Sequence, residues 1–259
     1  MRLLADDEPS PVLILNEQGA SDLLLTADHA GRRIPLRLGT LGLPASELDR
    51  HIAWDIGVAG LTEALSAALD ATAVLQTYSR LVIDCNRGPG VDSSVPTVSE
   101  TTEIPGNRGL SPEQRTARQR EIFEPYHARI RELLDARLRA RRRTVLVAVH
   151  SFTPVFKGER RAVEVGVLSN RDRRLAAIML DLLRTDGDLG VGDNEPYRMN
   201  DHTDYGMPMH GERRGLPHVE LEIRQDLIAD QAGQAAWAAR LAGLLTAADE
   251  RLSESGACA

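Results

Sequence analysis

An α/β fold built on a central sheet is predicted from three features of the sequence. Short continuous apolar runs, with Leu23, Leu24 and Leu25 the clearest, have the pattern of strands buried on both faces. Stretches of helical period lie between those runs. The 259 residues suffice for one large α/β domain or two small ones with an ample core.

Taken in order, residues 11–15 (PVLIL) read as a first short strand, and 16–21 as a turn containing Gly19. The LLLTADH strand follows and stops at His29, where Ala27, Ala30 and Gly31 leave room around the imidazole. Residues 32–43 read as a short helix or irregular segment broken by Pro35, Gly39 and Gly42. Ser46, with Asp49 three residues on, predicts the start of a helix running to about Leu69. Its Gly57 and Gly60 suggest close packing, and His51, Trp54 and Asp55 lie in its early part.

Residues 71–76 and 81–84 read as two further strands, and 88–110, rich in Ser, Thr, Pro and Gly, as a surface excursion that can cover a site. Ser111, Pro112 and Glu113 open a helix expected to reach about Arg142. TVLVAVHSF, residues 144–152, brings His150 to a second strand end. A strand over 162–169, an amphipathic helix over 172–183 and a connector over 187–192 follow. Residues 193–217 form an irregular stretch dense in His, Asp, Tyr and Arg, which suggests a binding surface with Tyr205 and His210 as candidate substrate contacts. A last strand, 218–225, and a helix, 231–252, close the chain. Nothing repeats at a fixed period and no composition shift marks a boundary, so residues 1–259 are read as one domain.

Composition narrows the function classes. A net charge of −7 argues against nucleic-acid binding, which needs clustered positive charge facing phosphates. Lys157 is the only lysine, so nearly every cation is a guanidinium, a bias that fits GC-rich coding first and selection for carboxylate-gripping forks second. With only Cys85 and Cys258 present, the second in a Ser/Gly/Ala tail, no disulfide framework is expected. There is no signal-peptide pattern and no apolar run near the roughly 20 residues that span a bilayer. The expectation is a cytoplasmic protein without membrane or nucleic-acid partners.

Two histidines at separate strand ends, with acids nearby, are the ingredients of a catalytic zinc site, which uses three protein ligands and leaves one position open. Such a site also needs an acid that is not a ligand, to move a proton from water to the leaving nitrogen. In HVELEIRQ the period of two places Glu220 and Glu222 on one face and Val219, Leu221 and Ile223 on the other, so either glutamate is a candidate. An edge strand with a solvated acidic face shows the same alternation. In RLVIDCNR, the residues Arg80, Asn86 and Arg87 offer guanidinium forks and an amide dipole for a substrate carboxylate.

The DxNR string at Asp84 to Arg87 resembles the substrate-binding motif of aspartoacylase-type members of the zinc-carboxypeptidase fold. The order DHAG, AWD, DxNRGPG, VAVHSF and HGERRGLPHVELEIRQD is similar to the N-formylglutamate amidohydrolase family over nearly the whole length. That resemblance implies a three-layer α/β/α sandwich with a central mixed sheet, zinc-carboxypeptidase-like, and zinc-dependent hydrolysis of an amide on an acidic amino acid. It implies His29 and His150 as metal ligands, Arg80, Asn86 and Arg87 as the carboxylate-binding group, and Glu222 as the catalytic glutamate. The sequence departs from the HxxE ligand pair of carboxypeptidases, because Arg32 stands three residues after His29. The third ligand implied is instead Asp55, after Trp54, with Asp28, His51 and Asp49 as alternatives. The expected partner is a small N-acyl amino acid such as N-formyl-L-glutamate, cleaved with one bound zinc ion. The other readings are a member that binds acidic metabolites without turnover, and a deacylase of a different N-acyl amino acid or peptide.

Overall fold

The computed structural model describes residues 2–187 and 189–256, so Cys258 lies outside the described residues. A seven-stranded mixed sheet organises them. Its strands are β1 (Val12–Leu15), β2 (Leu23–Ala27), β3 (Thr72–Gln76), β4 (Val145–Phe152), β5 (Val165–Leu168), β6 (Val191–Asp193) and β7 (His218–Arg224). In space they follow the order β1-β3-β2-β4-β7-β5-β6. The central pairs β3–β2, β2–β4 and β4–β7 are parallel, while β1–β3 and β7–β5 are antiparallel. As their apolar runs predict, β2 and β4 are buried at every residue. So is β7, which is an interior strand and not an edge with a solvated acidic face.

Helices cover both faces, as a three-layer sandwich requires. On one face lie α1 (Val58–Leu69), α4 (Arg174–Thr185) and α5 (Gln231–Glu254), packed on Leu25, Val147, Val149, Leu221 and Ile223. On the other face α2 (Pro112–Arg118) runs through a π-helical turn, Gln119–Phe123, into α3 (Glu124–Arg139). There Ile122, Phe123, Tyr126 and Ile130 meet Leu24, Val74, Leu146 and Ala148. The Ser111 start is a full capping box closed by Gln114. Among the described residues no helix is long and apolar enough to cross a membrane.

Several elements differ from the sequence expectation. The helix expected over 46–69 is two pieces, Ala45–Leu48 and α1, separated by turns that carry Asp55. Gly57 makes that break: it sits at φ 85°, and a Cβ there would come within 2.1 Å of the Ile228 carbonyl oxygen. Residues 81–84 are not a strand although Leu81, Val82 and Ile83 are buried. Their backbone is satisfied by side chains and a neighbouring loop. Asn107 Nδ2 donates to the Leu81 carbonyl at 2.8 Å, Arg118 Nη1 donates to the Val82 carbonyl at 2.8 Å, and the Asp84 N–H donates to the Ser94 carbonyl at 2.7 Å. The connector expected over 187–192 instead contributes the edge strand β6. The 88–110 excursion holds a small hairpin, Val98–Ser99 with Thr102–Glu103, and a second hairpin pairs Val155–Phe156 with Glu159–Arg160.

Arg118 is 1% exposed and also donates to Asn107 Oδ1 at 2.7 Å. Arg118→Met keeps the apolar stem but strands these acceptors, and should lower unfolding stability by about 3 kcal/mol in urea titrations. An unchanged midpoint would show that the loop is held by its apolar contacts alone.

Candidate metal and substrate site

Because β2, β4 and β7 are mutually parallel, their carboxyl ends open on one edge of the sheet, the place where ligands collect in α/β folds. Val145, Val147 and Val149 of β4 and Val219, Leu221 and Ile223 of β7 point into the α1–α4–α5 core. This leaves His150, Glu220 and Glu222 on the opposite face, with Glu222 in register beside His150. His29 follows β2 by two residues. Gly31 permits the sharp turn there, since a Cβ would come within 2.0 Å of the Thr77 carbonyl oxygen.

Asp55 is tied to this edge by its N–H, which donates to the His29 carbonyl at 2.9 Å. Its Oδ2 lies 2.9 Å from His150 Nδ1 and 3.5 Å from His29 Nδ1, and accepts from the Ser151 N–H at 3.2 Å. Donor atoms of His29, Asp55 and His150 all lie within 4.8 Å of one another, and all three residues are buried. Asp84 fixes the tautomer of His29. Its Oδ1 accepts from His29 Nε2 at 2.7 Å, so Nδ1 keeps its lone pair, buried and, among the described residues, without a hydrogen-bond partner. Two imidazoles and one carboxylate form a donor set suited to zinc, and the orphaned Nδ1 has the character of a metal ligand.

The charges are strongly coupled. Burial opposes ionisation of Asp55, yet the neighbouring His29 imidazole and the hydrogen bond to His150 outweigh it and hold the carboxyl well below its ordinary range. Burial likewise opposes ionisation of Asp84, and Arg80, His29 and Arg87 overcome it in that order. His150 is pushed upward against its burial by Glu220 and Asp55. Burial raises Glu220 to about 7 and Glu222 well above the usual carboxylate range. Among the described residues, Oε2 of Glu222 has no hydrogen-bond partner.

The cluster forms the floor of a cavity of about 500 Å³. Of the residues expected to grip a carboxylate, Arg80 is already committed, to Asp84 Oδ2 at 2.7 and 3.2 Å and to Asp55 Oδ1 at 3.5 Å. Asn86 is a clasp: its Oδ1 accepts from the N–H groups of Tyr205 and Gly206 at 2.9 and 3.0 Å, and its Nδ2 points to Asp204. Arg87 lines the cavity, and among the described residues its side chain makes one hydrogen bond, to its neighbour's carbonyl at 3.0 Å, so its fork is open. Of the alternative third ligands, Asp28 accepts from Tyr126 Oη at 2.5 Å, Asp49 pairs with Arg32 at the surface, and His51 faces Glu100 at 3.7 Å. The geometry groups Asp55, and not these, with the histidines.

Tyr205 and His210 do not line the cavity. The Tyr205 ring packs edge-on against Phe123 and His127 at 5.0 and 4.7 Å, and His210 Nε2 lies 2.9 Å from His127 Nδ1. His127 Nε2 donates to the Cys85 carbonyl at 2.8 Å, which makes its Nδ1 the acceptor from His210. Burial lowers His127 to about 4 and His210 to about 2, so both are neutral at physiological pH and form a prop beneath the loop that carries Asn86. Asp84, which sequence reasoning used only as part of a motif, is the orienting carboxylate. Its i,i+4 spacing from Arg80 was the available signal.

Residues 21–229 match the N-formylglutamate amidohydrolase family. The chain is 40% identical to a gene product from Agrobacterium tumefaciens whose crystal structure superimposes with a TM-score of 0.94, covering 97% of this chain and 100% of that one. It shares 20% identity and a TM-score of 0.69 with the N-formylglutamate amidohydrolase from Ralstonia eutropha JMP134, covering 93% and 98% of the two chains, a likeness of fold. No curated protein matches it.

If the His29–Asp55–His150 group holds a divalent metal ion, Asp84→Asn should weaken its affinity about 10–100-fold in a chelator competition, because an amide does not hold His29 in one tautomer; unchanged affinity would remove Asp84 from that role. The buried histidine pair gives a second expectation. Both pKa values are depressed from 6.5, so the unfolded chain takes up protons that the folded chain refuses. Their contribution is complete above pH 6.5 and is lost as pH falls toward 4. Melting temperature should drop across that interval, and less steeply in the His127→Gln/His210→Gln variant; equal slopes would assign the loss to other groups.

Proposed function

The chain belongs to the N-formylglutamate amidohydrolase family, and on that premise we propose that it is a zinc-dependent amidohydrolase removing a small acyl group, formyl or similar, from an acidic N-acyl amino acid such as N-formyl-L-glutamate. The observation that carries this reading is the buried His29–Asp55–His150 group with Glu222 in register beside it. These three residues would hold the ion. When bound, zinc polarises an amide carbonyl and acidifies water.

The remaining roles fall to the chain itself. Glu222, with an unpartnered buried oxygen, takes the proton of the attacking water and returns it to the departing nitrogen. Burial holds its carboxyl above the ordinary range, the direction that favours returning a proton. Glu220 shares its face two residues earlier and is the competing base. Arg87 grips the substrate carboxylate with its open fork. Arg80 acts one step back, balancing the charges of Asp84 and Asp55, and Asn86 holds the 205–206 backbone against the site.

The direct test is metal content together with amine release from a panel of N-acyl amino acids. Glu222→Gln is nearly isosteric but cannot accept the proton, so zinc content should stay at the wild-type level while kcat falls at least about a hundredfold. Full activity in Glu222→Gln with loss in Glu220→Gln would shift the base by one pleat. Absence of turnover in zinc-loaded wild type would leave a binding protein for acidic metabolites.

A further inference from the structure

We propose that Tyr197 is a further substrate-contacting residue of this site: its hydroxyl donates a hydrogen bond to the substrate carbonyl oxygen as that oxygen gains negative charge, and Arg161 positions and polarises it. The proposal rests on the amidohydrolase reading.

It starts from a comparison of Tyr197 with several other donors of the cavity. Arg80 and Asn86 are committed, Ser151 Oγ donates to the Ile56 carbonyl at 2.9 Å, Thr153 Oγ1 to the Val155 carbonyl at 2.8 Å, and Thr203 Oγ1 to Asp204 at 2.7 Å. Tyr197 lines the same cavity, is 41% exposed, and differs from these groups. Its hydroxyl oxygen accepts from Arg161 Nη1 at 3.0 Å, and among the described residues its own proton has no acceptor. A hydroxyl whose oxygen is held by a cation is a stronger donor through its remaining proton.

The surroundings of Arg161 fit that purpose. Its guanidinium lies over the rings of Tyr197, Phe156 and Phe152, at 4.8, 4.9 and 5.5 Å from their centroids. Among the described residues it forms no ion pair. A carboxylate partner would cancel its field at Tyr197, whereas three aromatic faces hold a cation without neutralising it. The chain has only three phenylalanines, and two of them are spent on this brace.

Both ends of the brace are anchored to the chemistry. Phe152 ends β4, two residues past His150, and Arg224 at the end of β7 points Nη1 to the Arg161 carbonyl at 3.5 Å. The phenol is pushed upward by desolvation first and by the charge of Glu222 second, so it keeps its proton. In the reaction, the water oxygen bonds to the carbonyl carbon while the carbonyl π pair moves onto its oxygen, and the water's proton passes to Glu222. On collapse that pair returns, the C–N bond breaks, and the proton on Glu222 goes to nitrogen. Tyr197 donates a hydrogen bond to the oxyanion throughout and transfers nothing.

The test uses zinc-loaded protein and a methylphosphonamidate of glutamate, whose tetrahedral phosphorus stands for the attacked carbon. Tyr197→Phe should bind it about a hundredfold more weakly than wild type by calorimetry, with kcat for N-acyl amino acid hydrolysis down by the same factor and KM and zinc content unchanged. Arg161→Met should lower kcat about tenfold at constant KM, with Arg161→Lys recovering part of the loss. Wild-type phosphonamidate affinity in Tyr197→Phe, with wild-type turnover intact, overturns the role of Tyr197 and leaves the amidohydrolase reading standing. A Tyr197-dependent phosphonamidate affinity in a protein that releases no amine overturns the amidohydrolase reading and keeps the oxyanion-facing hydroxyl. Failure of wild type to bind the phosphonamidate overturns both.

Discussion

The hydrogen bond between His29 Nε2 and Asp84 is the interaction on which the site depends. A buried carboxylate is costly unless it is paired and its lone pairs are used. Asp84 meets that requirement with four contacts: the imidazole, two guanidinium nitrogens of Arg80 and the Asn86 N–H. Each partner is thereby placed. The imidazole turns Nδ1 toward Asp55, Arg80 is drawn across to the same carboxylate pair, and the Asn86 backbone is set so that its side chain clasps residues 205–206. One compensated charge thus orients a candidate ligand and organises the loop that presents Arg87.

This arrangement needs a rigid floor, and the division of labour between the two sheet faces provides it. The face toward α1, α4 and α5 is apolar along β4 and β7, with Val145, Val147 and Val149 beside Val219, Leu221 and Ile223. Strand period then sends the candidate site residues His150, Glu220 and Glu222 to the other face, where they are buried but not in apolar packing. On that face the core is closed at a distance from the candidate metal ligands by Phe123, Tyr126 and the neutral His127–His210 pair. Hydrogen bonds among uncharged groups there keep additional charge away from an already dense cluster.

The loop over 78–110 departs most from regular structure and contributes most to the site. Its apolar residues are buried while its carbonyls are taken by Asn107 and Arg118. Side chains therefore replace a ladder, and the chain can bend to deliver Arg80, Asp84, Asn86 and Arg87 within eight residues. A strand would set Arg80 and Asp84 roughly 13 Å apart along its axis and send Arg87 to the opposite face, so it could not pair the first two while presenting the third beside them.

The local pattern of the sequence determined the strands and their faces: continuous apolar runs for β2 and β4, alternation for β7, and a serine N-cap followed by proline for α2. These signals depend only on near neighbours, which is why His29, His150 and the Glu220/Glu222 face were legible without coordinates. Motif order added Asp55 and the RLVIDCNR group. Tertiary structure alone decided the rest, because it concerns partners far apart in the chain. That Arg80 is spent on Asp84 and Asp55, that Tyr205 and His210 support His127 outside the cavity, and that Arg161 braces Tyr197 beside the site are outcomes of packing between separate segments. Residue type states what a side chain is able to bind; only the fold settles which partner reaches it first, since a buried polar group takes the nearest compensation available.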